Sequence, residues 1–303
     1  MRRNRADALA LLILLLAPIA LCGGCAGNAL KTTRFIYSAD EFTSALKARI
    51  PNIPPALAEA PFLLDESIIE RARVHTMKAP RGPQRAQALV DFVTEPTPQG
   101  LGLTYDWRAT GNASATLARG SGNCVALASV LIALGRGMDW PIYYAEARRN
   151  RPETREFQNL TALSDHMAVV LAASSFQMII DFTGLLDEVE DLRPIDDLTA
   201  YAHIINNISA QRVMSRDVSP TREQWEIAER GFRLATQIQP KLGRSWNNLG
   251  IALTRLGLFN QAREAYERAV SLDTAFGSAA RNLVVMETRA TGETSIQKSP
   301  LPD

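Results

Sequence analysis

Three cysteines, Cys22, Cys25 and Cys124, are the residues of this 303-residue chain whose type most invites chemistry. The first two stand in Leu21-Cys22-Gly23-Gly24-Cys25, directly after an N-terminal apolar run, so Cys124 is left as a single thiol in the body of the chain. In an oxidising compartment outside the cytoplasm a cysteine is normally paired, and an unpaired one is either buried and inert or reactive. Arg119-Gly120-Ser121-Gly122-Asn123 is a glycine-rich approach to Cys124, and Val125, Leu127, Ala128, Leu131, Ile132 and Leu134 follow at the three-and-four spacing of a buried helical face. The sulfur therefore belongs at a helix N-terminus, where the dipole and the free amides favour a thiolate. The competing reading is an inert core cysteine, since Cys is among the most buried residue types.

A nucleophilic thiol needs a base, and the base needs a group to orient it. Of the three histidines, His75 lies in an amphipathic stretch before Pro80 and His203 in the helical C-terminal part, both read most simply as surface or packing residues. His166 differs, standing at the start of the strand-like run Met167 to Ala173. Asp181 lies near the end of the next run, Phe176 to Phe182, an acid among apolar residues. Ala173-Ser174-Ser175 is short enough to join the two as a hairpin. His166 and Asp181 are 15 positions apart and centred near residue 174, so pairing in that register brings them together.

The elements that must position these groups follow from periodicity. Phe62, Leu63, Ile68, Ile69 and Val74 alternate with acids and arginines at helical spacing, and Gln84 to Thr94 makes a second helix after Pro80 and Pro83. Gly100 to Thr110 reads as loop with an extended piece from Leu103 to Trp107. After the Cys124 helix, which Gly135 and Gly137 end, the period becomes that of strands over Ile142 to Ala147 and the two runs of the hairpin. Helices followed by an antiparallel sheet define an α+β fold. From about Ala200 helices take over again, and a fixed period emerges: Ala228, Phe232, Ala235 and Pro240 recur 34 residues later as Ala262, Tyr266, Ala269 and Thr274.

Composition removes several function classes. With 33 Lys+Arg against 32 Asp+Glu, a net charge of +1, the chain lacks the basic stripe of a nucleic-acid binder. It has no Gly-rich phosphate loop and no ligand-spaced Cys/His cluster, so no cofactor, nucleotide or metal, is implied.

The N-terminus reads Met-Arg-Arg-Asn-Arg and then 14 apolar residues from Ala8 to Leu21, fewer than the ~20 that span a bilayer. A positive start, a short apolar run and small residues at its exit are the parts of a secretory signal over residues 1–24. The exit resembles the lipobox of bacterial lipoproteins, with Cys25 after the small Gly24 as the lipidated residue; Cys22 stands where that family usually has an aliphatic. The resemblance implies an N-terminal lipid holding the protein in a membrane, and Ala26, which is not the Asp that retains such proteins at the inner membrane, implies an outer-membrane anchor facing the periplasm. The rival is a plain secreted protein cut near Ala26. Residues 25–60, with Pro51, Pro54 and Pro55 and a weak periodic stretch from Phe42 to Ile50, read as a tether carrying one short helix.

Over residues 61–195 the chain resembles the transglutaminase-like, or papain-like, cysteine peptidase superfamily. The resemblance is carried by Gly122-Asn123-Cys124 opening an apolar helix, Asp165-His166 beginning a strand and Ile180-Asp181 on the next, preceded by Leu103-Thr104-Tyr105-Asp106 and Ala113-Ser114-Ala115-Thr116-Leu117. Many members have an aromatic two residues after the histidine, where this chain has Ala168. The resemblance implies that Cys124 attacks a carbonyl carbon to give a thioester, that His166 pairs with it and protonates the leaving amine, and that Asp181 orients the imidazole. It also implies that the oxyanion is met by the Cys124 backbone N–H and the Tyr105 side chain, and that substrates are peptide or protein amides, hydrolysed or used for acyl transfer. A degenerate domain of the same kind, serving as a scaffold, is the alternative.

Trp246-Asn-Asn-Leu249-Gly250, with the 34-residue period, resembles the tetratricopeptide pattern over residues 243–276, departing at Leu253 and Thr274. The preceding repeat has a good second helix and a first helix, Ala200 to Met214, without the motif residues; Gly277 to Thr288 caps the stack. Residues 196–290 are thus expected to be a helical repeat domain, with a protein partner on its concave face or helical packing alone, and residues 291–303 a disordered tail.

Overall fold

The computed structural model of the chain describes residues 35–149, 153–157, 160–164, 166–173, 175–183, 189–214, 219–272 and 277–290. Residues 1–24 with the lipobox, and the tail 291–303, lie outside the described residues. Contacts divide the chain into two units, residues 1–152 with 165–208, and residues 153–164 with 209–303.

The first unit begins with α1 (Ala39–Arg49). Ser38 caps it by accepting from the Glu41 amide while Glu41 accepts from the Ser38 amide, a capping box that satisfies two end donors. Phe42 and Leu46, four apart and on one face, are fully buried. The Phe42 ring meets Phe62 and Tyr201 edge-on at 5.9 and 5.5 Å. The expected helix in the tether is therefore present, but this stretch is packed into the unit rather than trailing from it. Its partners lie 20 and 159 residues away, which no local pattern signals.

Next come α2 (Glu66–Met77) and α3 (Pro83–Thr94), the latter started by Pro83 in the first turn, where its missing N–H costs nothing. A short parallel pair follows, β1 (Thr104–Tyr105) with β2 (Ser121–Gly122), separated by α4 (Ala113–Arg119). Then α5 (Cys124–Gly137) runs through the middle of the unit, every residue from Cys124 to Gly135 buried. Strand β3 (Ile142–Arg149) leads on to a hairpin of β4 (Glu153–Phe157) and β5 (Leu160–Ser164), then to β6 (His166–Ala173), β7 (Phe176–Ile180) and β8 (Val189–Pro194). The main sheet has the order β7-β6-β3-β8, all neighbours antiparallel. Fold class is thus mixed helix and sheet, with the antiparallel sheet expected; β8 and the β4–β5 hairpin are strands that periodicity did not reveal.

α5 packs on β3 and β6. The Tyr144 hydroxyl donates to Ser129 at 3.0 Å, and Ser129 donates in turn to the Val125 carbonyl, so two buried polar groups on the shared face are satisfied. At the far end of α5 Arg136 forks onto Asp197 of α6 (Asp197–Gln211), two bonds of 2.8 Å, with its guanidinium 4.6 Å from the Phe62 ring centroid. Asp197 also accepts from the Tyr37 amide at 2.9 Å. Burial raises the Asp197 carboxyl above its usual range in spite of Arg136, so desolvation outweighs pairing; what the pair does is prevent an uncompensated buried charge.

That junction explains a boundary the sequence misplaced. A helical domain was expected from residue 196, yet α6 as far as residue 208 belongs to the first unit. Leu198, Ala202, Ile204 and Ile205 are buried, and the Tyr201 hydroxyl donates to the Leu57 carbonyl at 2.7 Å.

The second unit contains α7 (Arg222–Ile238), α8 (Gly243–Leu256), α9 (Phe259–Leu272) and α10 (Ser278–Ala290), with the β4–β5 hairpin beside α8 and α10. The residues that set the period are its core: Ala228, Phe232 and Ala235 on α7, and Ala262, Tyr266 and Ala269 on α9, each at most 3% exposed. Gly250 is what lets α8 approach α9, since a Cβ there would lie 2.6 Å from the Tyr266 ring. The Trp246 indole donates to the Pro240 carbonyl at 3.0 Å, closing the turn between α7 and α8. Thr274 lies outside the described residues.

Candidate active site

The approach to Cys124 is built by close packing and a cap. Gly122 pairs with Tyr105 across the β1–β2 ladder, and a Cβ on it would fall 2.8 Å from Thr116 and 2.9 Å from Ala126. Only glycine fits there without displacement. Asn123 is the N-cap of α5: its side-chain oxygen accepts from the Ala126 amide at 3.1 Å, its Nδ2 donates to the Thr110 hydroxyl at 2.7 Å, and its own amide donates to the Ala109 carbonyl at 2.8 Å. Cys124 then opens the helix, 7% exposed, and its backbone N–H makes no hydrogen bond among the described residues. Sulfur and a free amide thus sit together at the positive end of a 14-residue helix.

His166, 5% exposed, begins β6, and Asp181, 3% exposed, follows the last residue of β7. The imidazole Nε2 lies 2.6 Å from Asp181 Oδ1. Burial acts to lower the imidazole pKa, but hydrogen bonds to Asp181 and to the Cys124 side chain more than offset it, and the value rises from 6.5 to about 10. The hydrogen bonds thus favour the imidazolium form of the ring. With Nε2 donating to Asp181, the remaining nitrogen, Nδ1, is the one left to serve Cys124.

A fourth residue completes the group. The Thr183 hydroxyl donates to Asp181, 2.9 Å from each carboxylate oxygen, and its oxygen is 3.0 Å from His166 Nε2. The Thr183 amide also donates to Asp181 Oδ1 at 2.9 Å, so the carboxylate is held on three sides. Sequence reasoning missed Thr183 because it assumed the wrong register. It set His166 opposite Asp181; the observed pairing of Val169 with Ile180 and Ala173 with Phe176, continued past the strand, sets Ala168 opposite Asp181 and His166 opposite Thr183. A shift of two keeps every side chain on its face, which is why the expected contact survives as a diagonal one. The signal for Thr183 was its place two residues after Asp181, on the same face.

Tyr105 is 39% exposed and lies in the ladder opposite Gly122, two residues before the thiol. Asp165 and Cys25 lie outside the described residues. The other histidines are packing residues: the His75 ring is 5.3 Å from Phe92, and buried His203, whose pKa burial lowers, has Nε2 3.8 Å from Glu146. Among the described residues no three His, Cys, Asp or Glu side chains converge as metal ligands would. Chemically, the arrangement offers a thiol, an imidazole beside it whose charged form is favoured, a carboxylate behind the imidazole and a free amide at the sulfur.

Compared with known families, residues 243–276 match the tetratricopeptide repeat. No curated protein matches the chain.

Proposed function

We propose that the protein is a thiol-dependent amide hydrolase or acyl transferase with a transglutaminase-like domain, acting on peptide or protein amides. The observation that supports this is the chain of contacts from Cys124 to His166 to Asp181, reached from three separate elements. In this reading the Cys124 thiolate attacks an amide carbonyl carbon, and the tetrahedral oxyanion is met by the Cys124 N–H and by Tyr105. The C–N bond breaks as His166 passes its proton to the leaving amine, leaving a thioester on Cys124. Water, or an acceptor amine, deprotonated by the now neutral His166, then attacks the thioester and restores the thiol. Asp181, held by Thr183, keeps Nε2 engaged so that Nδ1 stays aimed at the sulfur.

Alkylation tests the ion pair directly. At mildly acidic pH an ordinary thiol is about 1% thiolate or less. Iodoacetamide should label Cys124 readily in the native protein and about two orders of magnitude more slowly in His166→Ala. Equal rates in the two proteins would sink the proposal.

The N-terminal pattern supports a lipid on Cys25 and a place at the periplasmic face of the outer membrane. The intact mass of membrane-extracted protein should show an acylated Cys25 terminus; a free Ala26 terminus is the contrary result. The tetratricopeptide match favours a second reading, a catalytically silent scaffold that docks an envelope protein through its repeats. Indifference of Cys124 to His166 is the outcome that would favour it.

A further inference from the structure

At the end of the first unit away from Cys124 a cleft of about 180 Å³ opens between the start of α3, the turn from α5 to β3 and the tip of the β6–β7 hairpin. An apolar cavity of ~150 Å³ accommodates a benzene ring, so this volume suits one ring or one apolar side chain with a small polar head. Ala86, Leu171 and Phe176 supply apolar wall, and Arg81, Arg85 and Trp140 supply the polar groups. None of the nine residues lining the cleft is acidic.

The polar groups are all donors. The Arg85 Nε and Nη2 both donate to the Ala79 carbonyl, at 3.2 and 2.9 Å, which fixes the guanidinium and leaves Nη1. Arg81 is exposed and makes no ion pair among the described residues, and the Trp140 indole N–H has no acceptor among them. Gly82, the N-cap of α3, contributes no side-chain cap, so the positive end of a 12-residue helix also faces this cleft. Two guanidinium groups, an indole N–H and an uncapped helix start call for an anion, and the apolar wall calls for a flat or aliphatic body attached to it.

We propose that this cleft is a binding site for a carboxylate carried on a single apolar or aromatic group, with Arg81 and Arg85 taking the carboxylate and Phe176, Leu171 and Ala86 taking the body. A free small acid and the C-terminal residue of a peptide share that chemistry. The site is separate from the thiol: Cys124 is the first residue of α5 and Trp140 stands three residues past its last, a helix length of ~20 Å apart. It does not depend on the catalytic reading.

Titration calorimetry on the full-length chain tests it, with 3-phenylpropionate against 3-phenylpropionamide, and a short peptide ending in Phe against its C-terminal amide. The carboxylates should bind saturably, the amides about tenfold more weakly or worse, and Arg81→Gln should weaken the carboxylates by a similar factor. Arg81 is exposed, so the variant should keep the native urea midpoint. Binding of both acids makes the site a receptor for peptide termini, and binding of 3-phenylpropionate alone makes it one for a free acid. Equal affinity for acid and amide, indifference to Arg81→Gln, or no binding of either carboxylate would overturn the proposal.

Discussion

The two units place their key residues by opposite means. In the helical unit the decisive positions lie within one 34-residue period, and Phe232 and Tyr266 are core for the same reason in successive helix pairs. In the sheet unit Cys124, His166 and Asp181 come from α5, the start of β6 and the end of β7, and they meet only because a helix packs on a sheet. Repeats are legible because each contacts its neighbour in sequence; a triad assembled across a sheet is legible only in outline.

The sharpest way to break that contrast is at a long-range contact of the sheet unit. Asp197→Ala strands the Arg136 guanidinium, whose side chain is 13% exposed, and should cost about 3–5 kcal/mol in urea unfolding. A loss below 1 kcal/mol would mean that α6 is not held to α5 by this pair. In the helical unit the comparable defect is local: Gly250→Ala forces a methyl toward the Tyr266 ring and should cost about 1–3 kcal/mol, leaving the rate of Cys124 alkylation unchanged. A slowed alkylation in that variant would show the units to be energetically coupled.

A third test is the pH dependence of the triad, read by its direction. His166 has its folded-state pKa raised from 6.5 to about 10, so the protonated ring stabilises the fold fully below 6.5, and that contribution is lost as pH rises through the folded value. The urea midpoint of the native protein should therefore exceed that of His166→Gln most at the acidic end, with the difference shrinking toward pH 10. A difference that grows with pH would reverse the sign and remove the charged imidazole from the site.

Much of the fold is legible in the sequence, and what is not has specific physical causes. The helix beginning at Cys124 announced itself through its apolar spacing, and the Asn123 cap stands directly before it. His166 and Asp181 were paired by a hairpin whose turn was recognised but whose register was off by two; the contact survived because that shift preserves the face. Thr183 was lost in the same error. β8 escaped because Val189-Glu-Asp-Leu-Arg-Pro carries three charges and no alternation, its strand character coming from pairing with β3. From sequence α1 reads as a short helix on a tether, because Phe42 and Leu46 show an apolar face without showing its partners.

By itself, then, the sequence showed most of the helices and the repeat at 243–276, and it singled out Cys124 and His166 as candidates, because each depends on spacing along the chain; the short α4 (Ala113–Arg119) escaped it. The tertiary structure decided the rest: that α6 to residue 208 belongs with the sheet, that Thr183 braces Asp181, that hydrogen bonds to Asp181 and Cys124 raise the His166 pKa against its burial, and that arginines at the start of α3 face a cleft walled by Leu171 and Phe176. Those are contacts between residues far apart in the chain, and their energies depend on burial and register, which spacing alone does not encode.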